Sequence, residues 1–133
     1  MKHMTRSGSR AIRLAAFTAL ALLAACGEDP PTPGPGTLTA TLVSPNGDEG
    51  AAVVALFGDG IQSVSAIAPT EAFPRLDDDG ARVVLINQAG GLLEFQVALA
   101  DTLQKPDVII VEVAGPDDAL RSDVEAYTLE FTR

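Results

Sequence analysis

From Thr37 onward, apolar side chains recur in short runs roughly every 10–15 residues, separated by turn-forming residues. Leu38, Ala40 and Leu42 alternate with threonines. Leu93, Phe95, Val97 and Leu99 share a parity opposite to Glu94 and Gln96, and Tyr127, Leu129 and Phe131 do the same against Glu130 and Thr132. A period of two sends successive side chains to opposite faces of an extended chain, so these runs predict half-buried strands. Strands are predicted over 38–44, 51–57, 61–67, 81–87, 92–99, 107–114 and 123–132. The links between them, among them PNGDEG, GDG, NQAGG and GPDDALRS, are built from turn formers. Two runs lack alternation: Ala81 to Ile86, and Val108 to Val113 broken only by Glu112. Such strands are usually covered on both faces. No amphipathic helix is available as a cover, since ADTLQK near residue 101 is too short. Three options stay open: segment 68–80 folds over one sheet, a partner covers it, or Ala and Val stand in water. About seven strands in a chain of this size predict an all-β fold, a small antiparallel two-sheet β-sandwich over residues 37–133.

The region before this domain follows a different pattern. MKHMTRSGSRAIR holds Lys2, Arg6, Arg10 and Arg13 and no acid, and LAAFTALALLAA from Leu14 to Ala25 has Thr18 as its one polar residue. A basic head and a short apolar run form the pattern of a secretory signal peptide. The run is shorter than the roughly 20 residues a membrane-spanning helix needs. Leu23-Ala24-Ala25-Cys26 resembles the lipobox of bacterial lipoproteins, a large aliphatic residue and two small ones before an obligatory cysteine. The resemblance covers about the first 26 residues. It implies cleavage between Ala25 and Cys26, a diacylglyceryl group on the Cys26 thiol and further acylation of the new amino group. Two or three acyl chains give stable anchoring where one holds only marginally. Gly27 follows the cysteine, where an aspartate would resemble an inner-membrane retention signal. The expected location is therefore the cell envelope, at the outer membrane if the organism has two. The chain divides into a signal peptide (1–25, removed), a lipidated cysteine with a Pro/Gly-rich tether (26–36) and the sandwich domain. Extended at about 3.1 Å per residue, the tether would reach roughly 30 Å.

Loss of the signal peptide changes the charge. The whole chain carries 9 bases and 18 acids; four bases and no acid precede Cys26. The mature chain then keeps Arg75, Arg82, Lys105, Arg121 and Arg133 against all 18 acids, a net charge of −13. That balance argues against nucleic acid, whose binding depends on bases neutralising phosphates, and against lying flat on anionic lipid. Cys26 is the one cysteine, which excludes an intrachain disulfide, and His3 is the one histidine and lies in the signal peptide. Serine–histidine and cysteine–histidine catalysis, and zinc sites built on those ligands, are thereby excluded from the mature chain. The expected protein is not an enzyme and needs no cofactor. A carboxylate-based hydrolase is a formal alternative, but the chain has no tryptophan, and most of Phe57, Phe73, Phe95, Tyr127 and Phe131 fit core positions.

Acidic loops carry the remaining candidate chemistry. With seven strands running alternately up and down, the loops 45–50, 68–80 and 100–106 would share the end away from the tether. Asp48, Glu49, Asp77, Asp78, Asp79 and Asp101 would gather there, with Phe73 as an apolar anchor. Oxygen-rich loops of this kind can hold calcium, although Asp77-Asp78-Asp79-Gly80 lacks EF-hand spacing. Solvated turns are the plainer reading. The strand order is also faintly similar to immunoglobulin-like and cohesin-type sandwiches. The Cys…Trp…Cys signature of the former is absent, and nothing matches the dockerin-binding motif of the latter. The leading expectation is a lipid-anchored, non-enzymatic module that binds or scaffolds an envelope protein or glycan through its membrane-distal loops, with oligomerisation open. A calcium-binding sandwich is the alternative.

Overall fold

The computed structural model describes residues 29–133. The expected signal peptide (1–25), the cleavage and acylation site at Ala25 and Cys26, and the start of the tether lie outside the described residues. Eight strands run through the domain: β1 (Gly36–Val43), β2 (Glu49–Phe57), β3 (Ile61–Ala66), β4 (Glu71–Asp77), β5 (Gly80–Gly91), β6 (Glu94–Leu99), β7 (Asp107–Ala114) and β8 (Thr128–Thr132). They pair antiparallel in two four-stranded sheets, ordered β3-β6-β1-β8 and β4-β5-β2-β7. The sheets pack face to face as a sandwich. Leu38, Leu42, Phe95, Val97 and Leu99 from the first sheet meet Val54, Leu56, Val83, Leu85 and Val113 from the second. The alternating runs thus bury the face that their period predicts.

Three differences from the sequence reading shape the rest. First, the expected loop 68–80 contains β4, which pairs along β5 and extends the second sheet sideways instead of folding over it. Pro74 sits in this strand. Proline has no N–H to give a ladder and is tolerated at a sheet edge, which is where β4 lies.

Second, the run Val108 to Val113 does alternate, with a step in it. Val53 pairs with Glu112 and Val54 with Ile110, so Val111 is an extra residue in β7. This bulge shifts the phase by one. Val108, Ile110 and Val113 turn toward the core, while Ile109 and Glu112 lie on the outer face.

Third, β8 begins at Thr128 and not near residue 123. Residues 115–127 form a long connection, bridged to the end of β7 by Ala114 and Leu120.

The start of β1 defines the tether end. Strand direction alternates from there, so the β2–β3, β4–β5 and β6–β7 connections also lie at the tether end. The β1–β2, β3–β4, β5–β6 and β7–β8 connections lie at the far end.

Candidate functional site

The acids expected to cluster do not come together. Asp48 and Glu49 lie at the far end. Asp77, Asp78 and Asp79 form the β4–β5 turn at the tether end, where Gly58 N–H donates to the Asp79 carbonyl at 3.1 Å. Asp101 also lies at the tether end and holds the tether itself. It accepts from Gly34 N–H at 3.1 Å and Leu103 N–H at 3.0 Å. The amides of Leu103 and Gly34 keep its carboxyl below the usual carboxylate value. Arg133 completes this clasp, donating to the Thr102 hydroxyl at 2.6 Å and the Thr32 carbonyl at 3.4 Å. The cause of the misplacement is one strand: inserting β4 reverses the direction of everything after it. Among the described residues, no group of three or more acidic, His or Cys side chains is placed to hold a metal ion.

Glu49 is also withdrawn from solvent, with its side chain only 2 % exposed. Its Oε1 accepts from the Ser44 hydroxyl and the Tyr127 hydroxyl, both at 2.6 Å. Its Oε2 accepts from Arg121 Nε at 3.0 Å and pairs with Arg121 Nη2 at 2.9 Å. Asn46 Nδ2 donates to the Tyr127 oxygen at 2.7 Å. Burial pushes the Glu49 carboxyl up. Hydrogen bonds from Ser44, Tyr127 and Arg121, with the guanidinium charge, outweigh that, and the group sits below its usual value of 4.5. Every oxygen of this carboxylate is committed, so it is a structural anchor for the far end. It ties the β1–β2 turn to the 115–127 connection. Arg121 N–H also donates to the Val113 carbonyl at 2.8 Å, which pins the segment carrying Leu120 against β7.

The feature left unexplained by internal packing is the outer face of the β4-β5-β2-β7 sheet. Register places Phe73, Val84, Val53 and Glu112 side by side in one row across it, and Arg75, Arg82, Ala55 and Ile109 in the next. The rows on either side add Ile86, Ala51 and Ala114 at one end and Phe57 at the other. Phe73 is 54 % exposed and Ile109 55 %, whereas Ala51, Val53, Ile86 and Ala114 are half-buried beside the segment that carries Leu120. Leu120, 68 % exposed, stands at the rim of an apolar recess of about 100 Å³ lined by Ala51, Val53, Val84, Val113 and Ala114. Strands about 4.8 Å apart and same-face residues about 6.8 Å apart give the whole four-row face an area of about 500 Å², of which Phe73, Val84, Val53, Ala55 and Ile109 form the apolar centre and charged side chains the remainder.

The opposite outer face is built differently. There Thr39 pairs with Gln96 and Thr132, Thr41 with Glu94 and Glu130, and Ser65 with Gln96. Thr41 donates its hydroxyl hydrogen bond to Glu94 at 3.0 Å. One sheet therefore meets solvent with hydroxyls, amides and carboxylates, and the other with aliphatic and aromatic carbon set among Glu71, Arg75, Asp77, Arg82, Asp107 and Glu112. Of the candidate site residues from the sequence, Phe73 lies near the centre of this face and Asp77 at its tether-end margin, in the row of Phe57 and Asp107. Ile109, Val84 and Leu120 were not singled out, although the broken alternation around two of them was the available signal. Comparison with protein-family models, curated proteins and solved structures yields no match.

Proposed function

We propose that this protein is a lipid-anchored, non-catalytic binding module that presents the outer face of the β4-β5-β2-β7 sheet to a protein partner. The observation that carries the reading is the contrast between the two outer faces. A soluble sandwich has no packing reason to show Phe73, Val84, Ile109 and Leu120 on one side while paving the other with threonine, serine and glutamine. The anchor is supported by the lipobox-like Leu23-Ala24-Ala25-Cys26, and the lack of catalysis by the absence of histidine and free thiol in the mature chain. The acids expected in the distal loops are dispersed between the two ends or committed to internal hydrogen bonds, which supports the sheet face over those loops.

The test places a photo-crosslinking side chain at Val84 or at Thr39 of the full chain in cells. Defined protein adducts at Val84 and none at Thr39 are expected. Equal labelling at both positions overturns the assignment of the face. In parallel, Cys26→Ser is expected to move the protein from the membrane fraction to the soluble fraction; retention in the membrane fraction refutes the anchor.

A further inference from the structure

We propose that the free edge of β7 takes up an extended, basic segment of a partner polypeptide as an added antiparallel strand. The site is the lateral edge of the second sheet, and the inference does not depend on the reading of that sheet's outer face.

The far-end part of this edge is already occupied. Arg121 N–H donates to the Val113 carbonyl at 2.8 Å and Gly115 N–H to the Ala119 carbonyl at 2.9 Å, so residues 119–121 lie on β7 as one rung of an antiparallel ladder. In such a ladder the N–H and C=O of one residue point the same way, and the direction alternates along the strand. The outward Val113 carbonyl therefore fixes the phase. Carried across the Val111 bulge through the pairs Glu112–Val53, Ile110–Val54, Ile109–Ala55 and Val108–Leu56, it turns the backbone groups of Ile110 and Val108 outward. Among the described residues no loop or side chain hydrogen-bonds to them. The other edges are less suited. Pro74 takes an N–H from the free edge of β4, Lys105 Nζ reaches the Phe131 carbonyl on β8 at 3.5 Å, and β3 carries no charge to select an occupant.

Side chains along the edge describe the occupant. Val108 and Ile110 on β7, with Leu129 and Phe131 on β8, line the side of the sandwich and are only half-buried. An incoming strand paired with Val108 and Ile110 sends its two facing side chains to that same side, so those positions are apolar. Its intervening residues look outward, beside Ile109 and between Asp107 and Glu112. Past the bulge the edge opens into a groove of about 430 Å³, lined by Val111 and Val124 with Glu112, Asp123 and Glu125. Of the bases near this edge, Arg121 is paired with Glu49 and Lys105 is bonded to the Phe131 carbonyl. Four acids thus face the occupant, which calls for lysine or arginine at the outward positions, their aliphatic stems covering Ile109. The complementary segment is a short run of alternating apolar and basic residues.

The full chain in neutral detergent micelles, titrated with a short synthetic peptide of alternating valine and lysine, provides the test. Bound peptide is expected to slow amide exchange at Val108 and Ile110 roughly tenfold and to leave the β3 amides unchanged. N-methylation of the valine amides, which bond to β7 in the added strand, should weaken binding about tenfold. N-methylation of the lysine amides, which face away from β7, should not. Asp107→Lys combined with Glu112→Lys should weaken the lysine peptide about fivefold and strengthen a peptide of alternating valine and glutamate. Thermal melts check that this variant is folded, which its exposed positions favour. No binding at millimolar peptide, binding without slowed exchange at Val108 and Ile110, equal effects of the two methylations, or indifference to the two substitutions overturns the proposal.

Discussion

Replacing Tyr127 with phenylalanine removes one oxygen from the most heavily hydrogen-bonded group in the domain. That hydroxyl donates to buried Glu49 Oε1 at 2.6 Å and accepts from Asn46 at 2.7 Å. A hydrogen bond to a charged group contributes roughly 1.5–3 kcal/mol, and the ring's own packing is unchanged by the substitution. A loss of about 2 kcal/mol is expected at neutral pH, equivalent to a fall of about 8–16 °C in Tm for a domain of this size. The sign of the pH dependence follows from Glu49. Its folded pKa lies below the 4.5 of the unfolded chain, so its contribution is complete above pH 4.5 and is lost as pH falls through the folded value. Tyr127→Phe removes one of the causes of that depression and raises the folded pKa toward 4.5. The variant therefore has less of this stability to lose on acidification, and the gap between parent and variant narrows. Urea unfolding of both proteins at pH 7 and at about pH 3.5 measures this directly. An equal gap at the two pH values would refute the reasoning, since it would place the loss in packing and not in a bond to a carboxylate.

Two further outcomes follow from the tether end. A Cβ built on Gly80 would stand 1.9 Å from the Leu56 carbonyl oxygen, at a φ of +156°. Gly80→Ala must shift the β4–β5 turn and is expected to cost about 1–3 kcal/mol by chemical denaturation; a variant as stable as the parent would contradict the close approach. Asp101→Ala removes the acceptor for Gly34 N–H and Leu103 N–H. It should speed hydrogen exchange at Gly34 with little change at Phe95. In the parent the same clasp, formed by a carboxylate held below its usual value, should loosen only as pH falls through that lowered value. Unchanged exchange at Gly34 would show that the clasp does not hold the tether.

The strands with two neighbours or a strict period were legible in the sequence, because burial on one face imposes the alternation seen in Leu38–Leu42 and Leu93–Leu99. The edge strand β4 was not. It has a single partner, and Pro74 argues against a strand unless the edge position is already known. That one omission reversed the assignment of ends for everything after Ala66 and brought together acids that the fold keeps apart. Broken alternation had two separate physical origins. In β7 the Val111 bulge steps the phase, whereas in β5 Val84 and Ile86 are apolar on the outward parity. A pattern of apolar residues cannot separate a bulge from a second covered face, so the apolar outer face was visible only as an irregularity. The Glu49 network was illegible for another reason. Its members Ser44, Glu49, Arg121 and Tyr127 come from separated segments, and no local spacing marks their convergence.

The clasp at the base of β1 also shortens the leash. With the chain held at Thr32 by Arg133, six residues lead back to Cys26, a reach of about 20 Å at full extension. Were Cys26 acylated as proposed, the clasp would cut the standoff from roughly 30 Å to about 20 Å. A partner for the β4-β5-β2-β7 face would then have to lie within that distance of the membrane.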